Sequence, residues 1–163
     1  MKELKKKLIA LLEENARYTF SDLAAMTGED ENAVKTAVSE LEKAGAIVKY
    51  TAIVNEEKLG RKSVQALIEV KVAPQKLNGF DSYAEELYNF PEVRSLYLMS
   101  GGFDLAVFID GESLGDIAKF VAEKLSIIDG ITSVATHFIL KKYKIEGNIC
   151  NNNEEQKRQI VHA

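Results

Sequence analysis

A helical pattern over residues 3–45 gives way to a strand-helix-strand-strand-helix-strand pattern over residues 63–143. That change of hydrophobic period, from about 3.6 to 2, most limits the folds open to the chain. Two small domains of different class are expected. With 163 residues and 46% hydrophobic content, the sequence can fill two modest cores and is short for an enzyme with a separate cofactor domain.

In the first segment Leu4, Leu8, Leu11 and Leu12 share one helical face, so residues 3–14 read as an amphipathic helix. Thr19 followed by Asp22 has capping-box spacing, Leu23 to Met26 continue a short second helix, and Gly28 supplies a tight helix-to-helix turn. Asp30 caps a third helix with Val34, Val38 and Leu41 on its buried stripe, and Gly45 ends it. The β-branched run from Ile47 to Val54 suits a wing or linker strand. This is a helix-turn-helix order, in which the last helix enters the major groove.

The third helix would present Asn32, Lys35, Thr36, Ser39 and Lys43, whose hydrogen-bonding groups suit base edges and phosphates of double-stranded DNA. Charge opposes that use. The whole chain carries a formal charge of −4, and residues 1–60 hold nine basic against eleven acidic side chains. Glu29, Asp30 and Glu31 crowd the helix start, where the dipole would otherwise attract phosphate. A solvated acidic helix in a protein-binding module is therefore a rival reading, and Lys5, Lys6 and Lys7 fit a solvated face.

In the second segment Val64, Ala66, Ile68, Val70 and Val72 alternate with Gln65, Leu67, Glu69 and Lys71, predicting a half-buried strand over 63–72. Further strands are expected at 93–100, 103–110 and 131–142. Phe80, Tyr83, Ala84 and Leu87 mark one helix, and Leu114, Ile117, Ala118, Val121, Leu125 and Ile128 another. The fold class is thus α+β, a winged helix-turn-helix followed by a ferredoxin-like βαββαβ domain. Domain limits of 1–60 and 61–147 follow, with 148–163 a disordered tail. The face without helices would carry Leu67, Leu96, Leu98, Ala106, Phe108, Ala135 and Ile139, which calls for a second copy of the chain.

Two readings fit Ser100-Gly101-Gly102-Phe103-Asp104. The glycines permit positive φ in a tight hairpin, or they also bring backbone N–H groups to a small carboxylate. Asp104, an acid before an apolar strand, could pair with an ammonium, so the turn as a whole suits an amino acid zwitterion. Catalysis is not expected, since His137 stands alone and no Cys-His, Ser-His-Asp, zinc or nucleotide constellation is present. No cofactor is expected either. The single cysteine, Cys150, excludes an intrachain disulfide and a multi-cysteine zinc site. The opening residues lack a long apolar core and no later segment reaches about 18 uninterrupted apolar residues, so a cytoplasmic protein with no membrane partner is expected.

Several motifs, in order, resemble the Lrp/AsnC family over residues 2 to about 144. They are Thr19-x-x-Asp22-Leu23-Ala24, Leu41-Glu42-x-x-Gly45-x-Ile47, the stretch Tyr50-Thr51-Ala52-Ile53-Val54-Asn55-x-x-Lys58-Leu59-Gly60, and Ser100-Gly101-x-Phe103-Asp104. The resemblance implies a DNA-binding transcriptional regulator that dimerises through its sheet and often assembles to octamers. It also implies an effector, commonly an amino acid, held between dimers at Met99, Ser100, Gly101, Gly102, Asp104 and Thr136. The chain departs from that family in having Thr36, Ala37 and Glu40 where arginines are usual, and Gly102 where the turn usually carries an acid. An amino-acid-sensing oligomer that acts through a protein partner, with weak or no DNA binding, is the alternative.

Overall fold

The computed structural model describes residues 2–56, 58–60, 63–73 and 79–150. The chain divides into two compact units, Met1–Ile53 and Val54–Ala163. The division falls seven residues before the expected limit at residue 60.

The first unit packs α1 (Lys2–Glu14), α2 (Phe20–Thr27) and α3 (Glu31–Lys43) around Leu4, Leu8, Leu23, Val34, Ala37 and Val38. Local chemistry sets the boundaries. Thr19 and Asp22 form a reciprocal capping box, Gly28 ends α2 at φ 74°, and the Asp30 carboxylate accepts the Asn32 N–H at 2.8 Å. The Thr19 bonds hold the Asp22 carboxyl below its ordinary value. Beyond Gly45 the run 47–54 carries no strand pairing, and Val48 is 91% exposed. β-Branched residues favour an extended backbone, but a strand needs a partner edge, and none within the described residues offers one. The Ile47 N–H donates to the Leu41 carbonyl at 3.2 Å and the Tyr50 hydroxyl to Glu42 at 3.0 Å, which ties the start of the run back to α3.

The second unit runs β1 (Val64–Val72), α4 (Asp81–Tyr88), β2 (Val93–Leu98), β3 (Leu105–Gly111), α5 (Leu114–Phe120), a π-helical turn (Val121–Leu125) and β4 (Ile131–Ile139). The sheet order is β2-β3-β1-β4 with every pair antiparallel, the ferredoxin-like arrangement. Ala66, Ile68, Val70, Leu105, Val107 and Ile109 meet Tyr83, Leu87, Ile117, Phe120 and Leu125 in one core. The expected stripe of α5 is altered: Leu114 and Ala118 are exposed while Phe120 is buried. These departures fall within α5 itself; beyond the π turn that follows Phe120, Leu125 and Ile128 are buried as the spacing implies.

Two further expectations change. Leu96 and Leu98 pair with Val107 and Leu105, on the helix-covered side, and Leu96 packs against that core. A register shift between Val93 and Ser95 bulges Arg94 and reverses the parity of β2, which brings Ser95 and Tyr97 to the uncovered face instead. The chain also does not end its structure at residue 147. β5 (Lys144–Ile145) and β6 (Asn148–Ile149) form a hairpin, and the Cys150 carbonyl accepts the Asn55 amide at 2.6 Å. The remainder of the expected tail, 151–163, lies outside the described residues.

Candidate functional site

α3 buries Val34, Ala37, Val38 and Leu41, so the opposite face must carry residues spaced by three and four. Asn32, Thr36, Ser39 and Lys43 have that spacing; Ser39 is half-buried and the others are exposed. The Thr36 hydroxyl donates back to the Asn32 carbonyl at 2.9 Å, leaving its oxygen able to accept. Among the described residues the Asn32 side-chain amide has no partner and Lys43 makes no ion pair.

The flanks are less available. Lys35 Nζ lies 2.7 Å from Glu31 Oε1 and 5.8 Å from the centre of the Phe20 ring, beside α2. Glu40 points the other way, to Lys5 Nζ of α1 at 2.7 Å, and that bond holds its carboxyl below the ordinary value. The acidic entry expected at Glu29, Asp30 and Glu31 is therefore partly spent: Asp30 caps the helix and Glu31 neutralises Lys35. Glu40 belongs to the α1–α3 seam rather than to the centre of the outer face.

The second candidate lies at the β2–β3 connection. Strands end at Leu98 and resume at Leu105, and the Met99 N–H donates to the Asp104 carbonyl at 2.8 Å. The result is a six-residue loop, wider than the tight hairpin expected, because the glycines contribute no ladder pairs. Met99, Ser100, Gly101 and Gly102 are exposed and Asp104 is half-buried. Gly101 has φ 155°, a conformation other residues rarely adopt, but the φ of Gly102 is not positive. A Cβ at either glycine would meet nothing within 4 Å. Neither backbone nor crowding within the chain requires glycine at 102.

Asp104 is not a free acid. Its Oδ2 accepts the Val72 N–H at 2.9 Å, a contact that sequence reasoning missed because the donor is a backbone group 32 positions away. Thr136 is not brought to the loop. It pairs with Ile68, which pairs with Val107, so it lies two strands across and three residues along from Asp104, about 14 Å by strand spacing. The structure thus gathers five of the six expected effector residues and separates the sixth.

The uncovered sheet face carries Leu67, Tyr97, Ala106, Phe108, Ala135 and Ile139, with Tyr97 and Phe108 in edge-to-face contact at 5.9 Å. Among them His137 Nε2 lies 3.3 Å from Glu69 Oε1. The strict alternation of Ala135, His137 and Ile139 is the sequence signal that would have placed this histidine. Among the described residues no group of acidic, histidine or cysteine side chains could hold a metal ion, and no helix is long and apolar enough to cross a membrane.

Comparison with known proteins extends both candidates. Residues 65–149 match the family profile described as Lrp/AsnC ligand binding domain, and residues 1–48 match one described as winged helix-turn-helix DNA-binding. The chain is 44% identical over 160 residues to the uncharacterized HTH-type transcriptional regulator YugG of Bacillus subtilis, covering 98% of this chain and 96% of that one. It is 39% identical over 145 residues to the HTH-type transcriptional regulator LrpA of Pyrococcus horikoshii, covering 87% and 98%. Among solved structures, the leucine response regulatory protein LrpA of Mycobacterium tuberculosis aligns with TM-score 0.75 at 21% identity, covering 90% of this chain and 97% of that one. A transcriptional regulator from Neisseria meningitidis, solved as an L-Met complex, aligns with TM-score 0.71 at 23% identity, covering 91% and 96%.

Proposed function

The chain belongs to the Lrp/AsnC family of DNA-binding transcriptional regulators, which are not enzymes, and from that premise we propose that it senses an amino acid at the 99–104 loop and answers by changing its hold on operator DNA. Asn32, Lys35, Thr36, Ser39 and Lys43 are the residues we assign to DNA. The observation that supports this most directly is the polar outer face of α3, where Asn32, Thr36 and Lys43 are exposed and Lys43 makes no ion pair among the described residues.

The effector set is Met99, Ser100, Gly101 and Gly102 of one subunit, above Asp104 at the base of the loop, with Thr136 supplied by another. An open loop with a glycine that its own chain does not require supports close approach of a ligand or a neighbouring subunit. The L-Met found with the Neisseria protein supports an amino acid as the class. The apolar sheet face supports a homodimer, since an isologous contact would cover it, and dimers would meet again at the loop to build an octamer. Ligand at that seam would shift the assembly and so operator occupancy, in a cytoplasmic protein.

Fluorescence anisotropy of the purified protein on DNA from upstream of its own gene, at low and moderate salt, tests this. Salt-sensitive, sequence-selective binding that changes with a mixture of the twenty amino acids is expected. No binding at low salt would overturn the assignment of α3 and favour a protein partner.

A further inference from the structure

We infer that Asp104 is a positioning residue of the effector loop: its carboxylate acts through the Val72 amide to fix the loop's base, and is not the counterion of a bound ammonium group. The inference rests on the reading that the loop binds the effector. Its starting point is the unequal length of two strands. The β1–β3 ladder ends at Val70↔Leu105, while β1 runs on to Val72. Residues 70 and 72 direct their backbone bonds to the same side, so the Val72 N–H faces the edge that β3 has left. Asp104 Oδ2 stands where a β3 carbonyl would have been, 2.9 Å from that nitrogen.

The backbone of Asp104 makes two further bonds. Its N–H donates to the Val70 carbonyl at 3.0 Å, and its carbonyl accepts the Met99 N–H at 2.8 Å. One residue therefore joins β1, β2 and β3 at the root of the six-residue loop. Val72 is buried, and a buried N–H without an acceptor is costly, so the carboxylate is held to this task by the core beneath it. Beyond Val72, the Ala73 N–H donates to Gly130 at 2.7 Å and the Ala73 carbonyl accepts the Tyr83 hydroxyl at 3.2 Å, so the strand end is fixed from both sides.

What this geometry asks of residue 104 is a hydrogen-bond acceptor of the right length, not a charge. An asparagine oxygen satisfies it; alanine does not. That distinction separates the two roles in the full-length protein. Amide exchange at Val72, read by deuterium uptake with fragmentation to single residues, and the response of DNA binding to a mixture of the twenty amino acids are compared in Asp104→Asn and Asp104→Ala. In Asp104→Asn the Val72 amide keeps its protection and the response midpoint stays within about threefold of the parent, whereas in Asp104→Ala exchange at Val72 accelerates about tenfold or more and the response weakens.

A response lost in Asp104→Asn while Val72 stays protected would overturn the inference and make the charge the ligand contact. Unchanged Val72 exchange in Asp104→Ala would overturn it as well. Should no amino acid alter DNA binding by the parent protein, the effector reading fails, and the exchange comparison still decides whether Asp104 holds the Val72 amide.

Discussion

Replacing Glu31 with glutamine should tighten DNA binding, although it removes nothing that touches DNA. Lys35 is the one basic residue of the assigned outer face held in an ion pair, 2.7 Å from Glu31 one helical turn earlier. Reaching a phosphate requires breaking that pair, which at this exposure is worth about 0.3–0.5 kcal/mol. The Glu31 carboxylate would also lie near the same phosphate, and two like charges roughly 7 Å apart in water repel by about 0.6 kcal/mol. The two effects sum to about 1 kcal/mol per helix, a factor of about five, and about thirtyfold for two helices on a two-fold operator. Because a released lysine displaces a further counterion, the slope of log K against log salt should steepen by about 0.9 per helix. Anisotropy titrations at four salt concentrations measure both quantities, and thermal unfolding of the variant checks that loss of a first-turn acid has not weakened α3. Unchanged affinity and slope in Glu31→Gln, alongside weakening in Lys43→Ala, would show that Lys35 does not approach the backbone. No change in either variant would refute the placement of α3 against DNA.

Gly130→Ala should cost about 3 kcal/mol in urea unfolding at fixed protein concentration, because its φ of 89° strains any L residue and its Cβ would lie 2.0 Å from the Tyr83 hydroxyl. Adding Tyr83→Phe should return about 1 kcal/mol of that loss, and failure to do so would mean the clash is relieved elsewhere. Phe108→Glu, which puts a charge on the uncovered sheet face, should yield a folded monomer by light scattering and circular dichroism; an oligomer of unaltered size would remove that face from the interface. The Lys124 bond holds the Glu92 carboxyl below its ordinary 4.5, so its contribution to stability is full above that value and is lost as pH falls through the lowered one. Melting temperature should accordingly be flat from neutral pH to about 5 and fall below about 4.5, with a shallower fall in Glu92→Gln; identical acid profiles would assign the loss to other carboxylates.

Where a boundary depends on neighbours in sequence, the sequence was a sufficient guide. Thr19 and Asp22, Gly28 and Asp30 act within four residues, and the structure places their caps as the spacing implies. β1 was equally legible because Ala66, Ile68, Val70 and Val72 alternate without interruption. Elsewhere the period itself changes. A bulge at Arg94 reverses the sides of β2, and a π turn replaces the α-helical turn after Phe120, and neither leaves a compositional mark. The β5–β6 hairpin did leave a faint one. Glu146 and Gly147 both take positive φ, 44° and 81°, as a two-residue hairpin loop demands, but glutamate is an uncommon first residue there. At the candidate sites, residue type pointed to the right places and to incomplete roles. Lys35, Glu40 and Asp104 have partners on α3 itself, on α1 and at the end of β1, and only the last two needed the fold to be found.

Three features remain unaccounted for by the chain's own contacts: a β-branched run at 47–54 without strand pairing among the described residues, an apolar sheet face holding Phe108, and a glycine at 102 that neither φ nor crowding requires. Each breaks a rule that the same chain obeys elsewhere, since its other strands are paired, its cores are covered and Gly28 and Gly130 sit where left-handed backbone needs them. Local rules are most often broken where a second molecule completes the structure. An apolar face has its lowest free energy against another such face, a β-branched run without strand pairing can gain bonds from a foreign edge, and an unobstructed glycine admits close backbone approach. The three point to the same cause by independent physics. That convergence favours assembly of like chains over a single unlike partner, because one isologous contact covers the sheet of both copies at once and leaves both loops free to meet ligand.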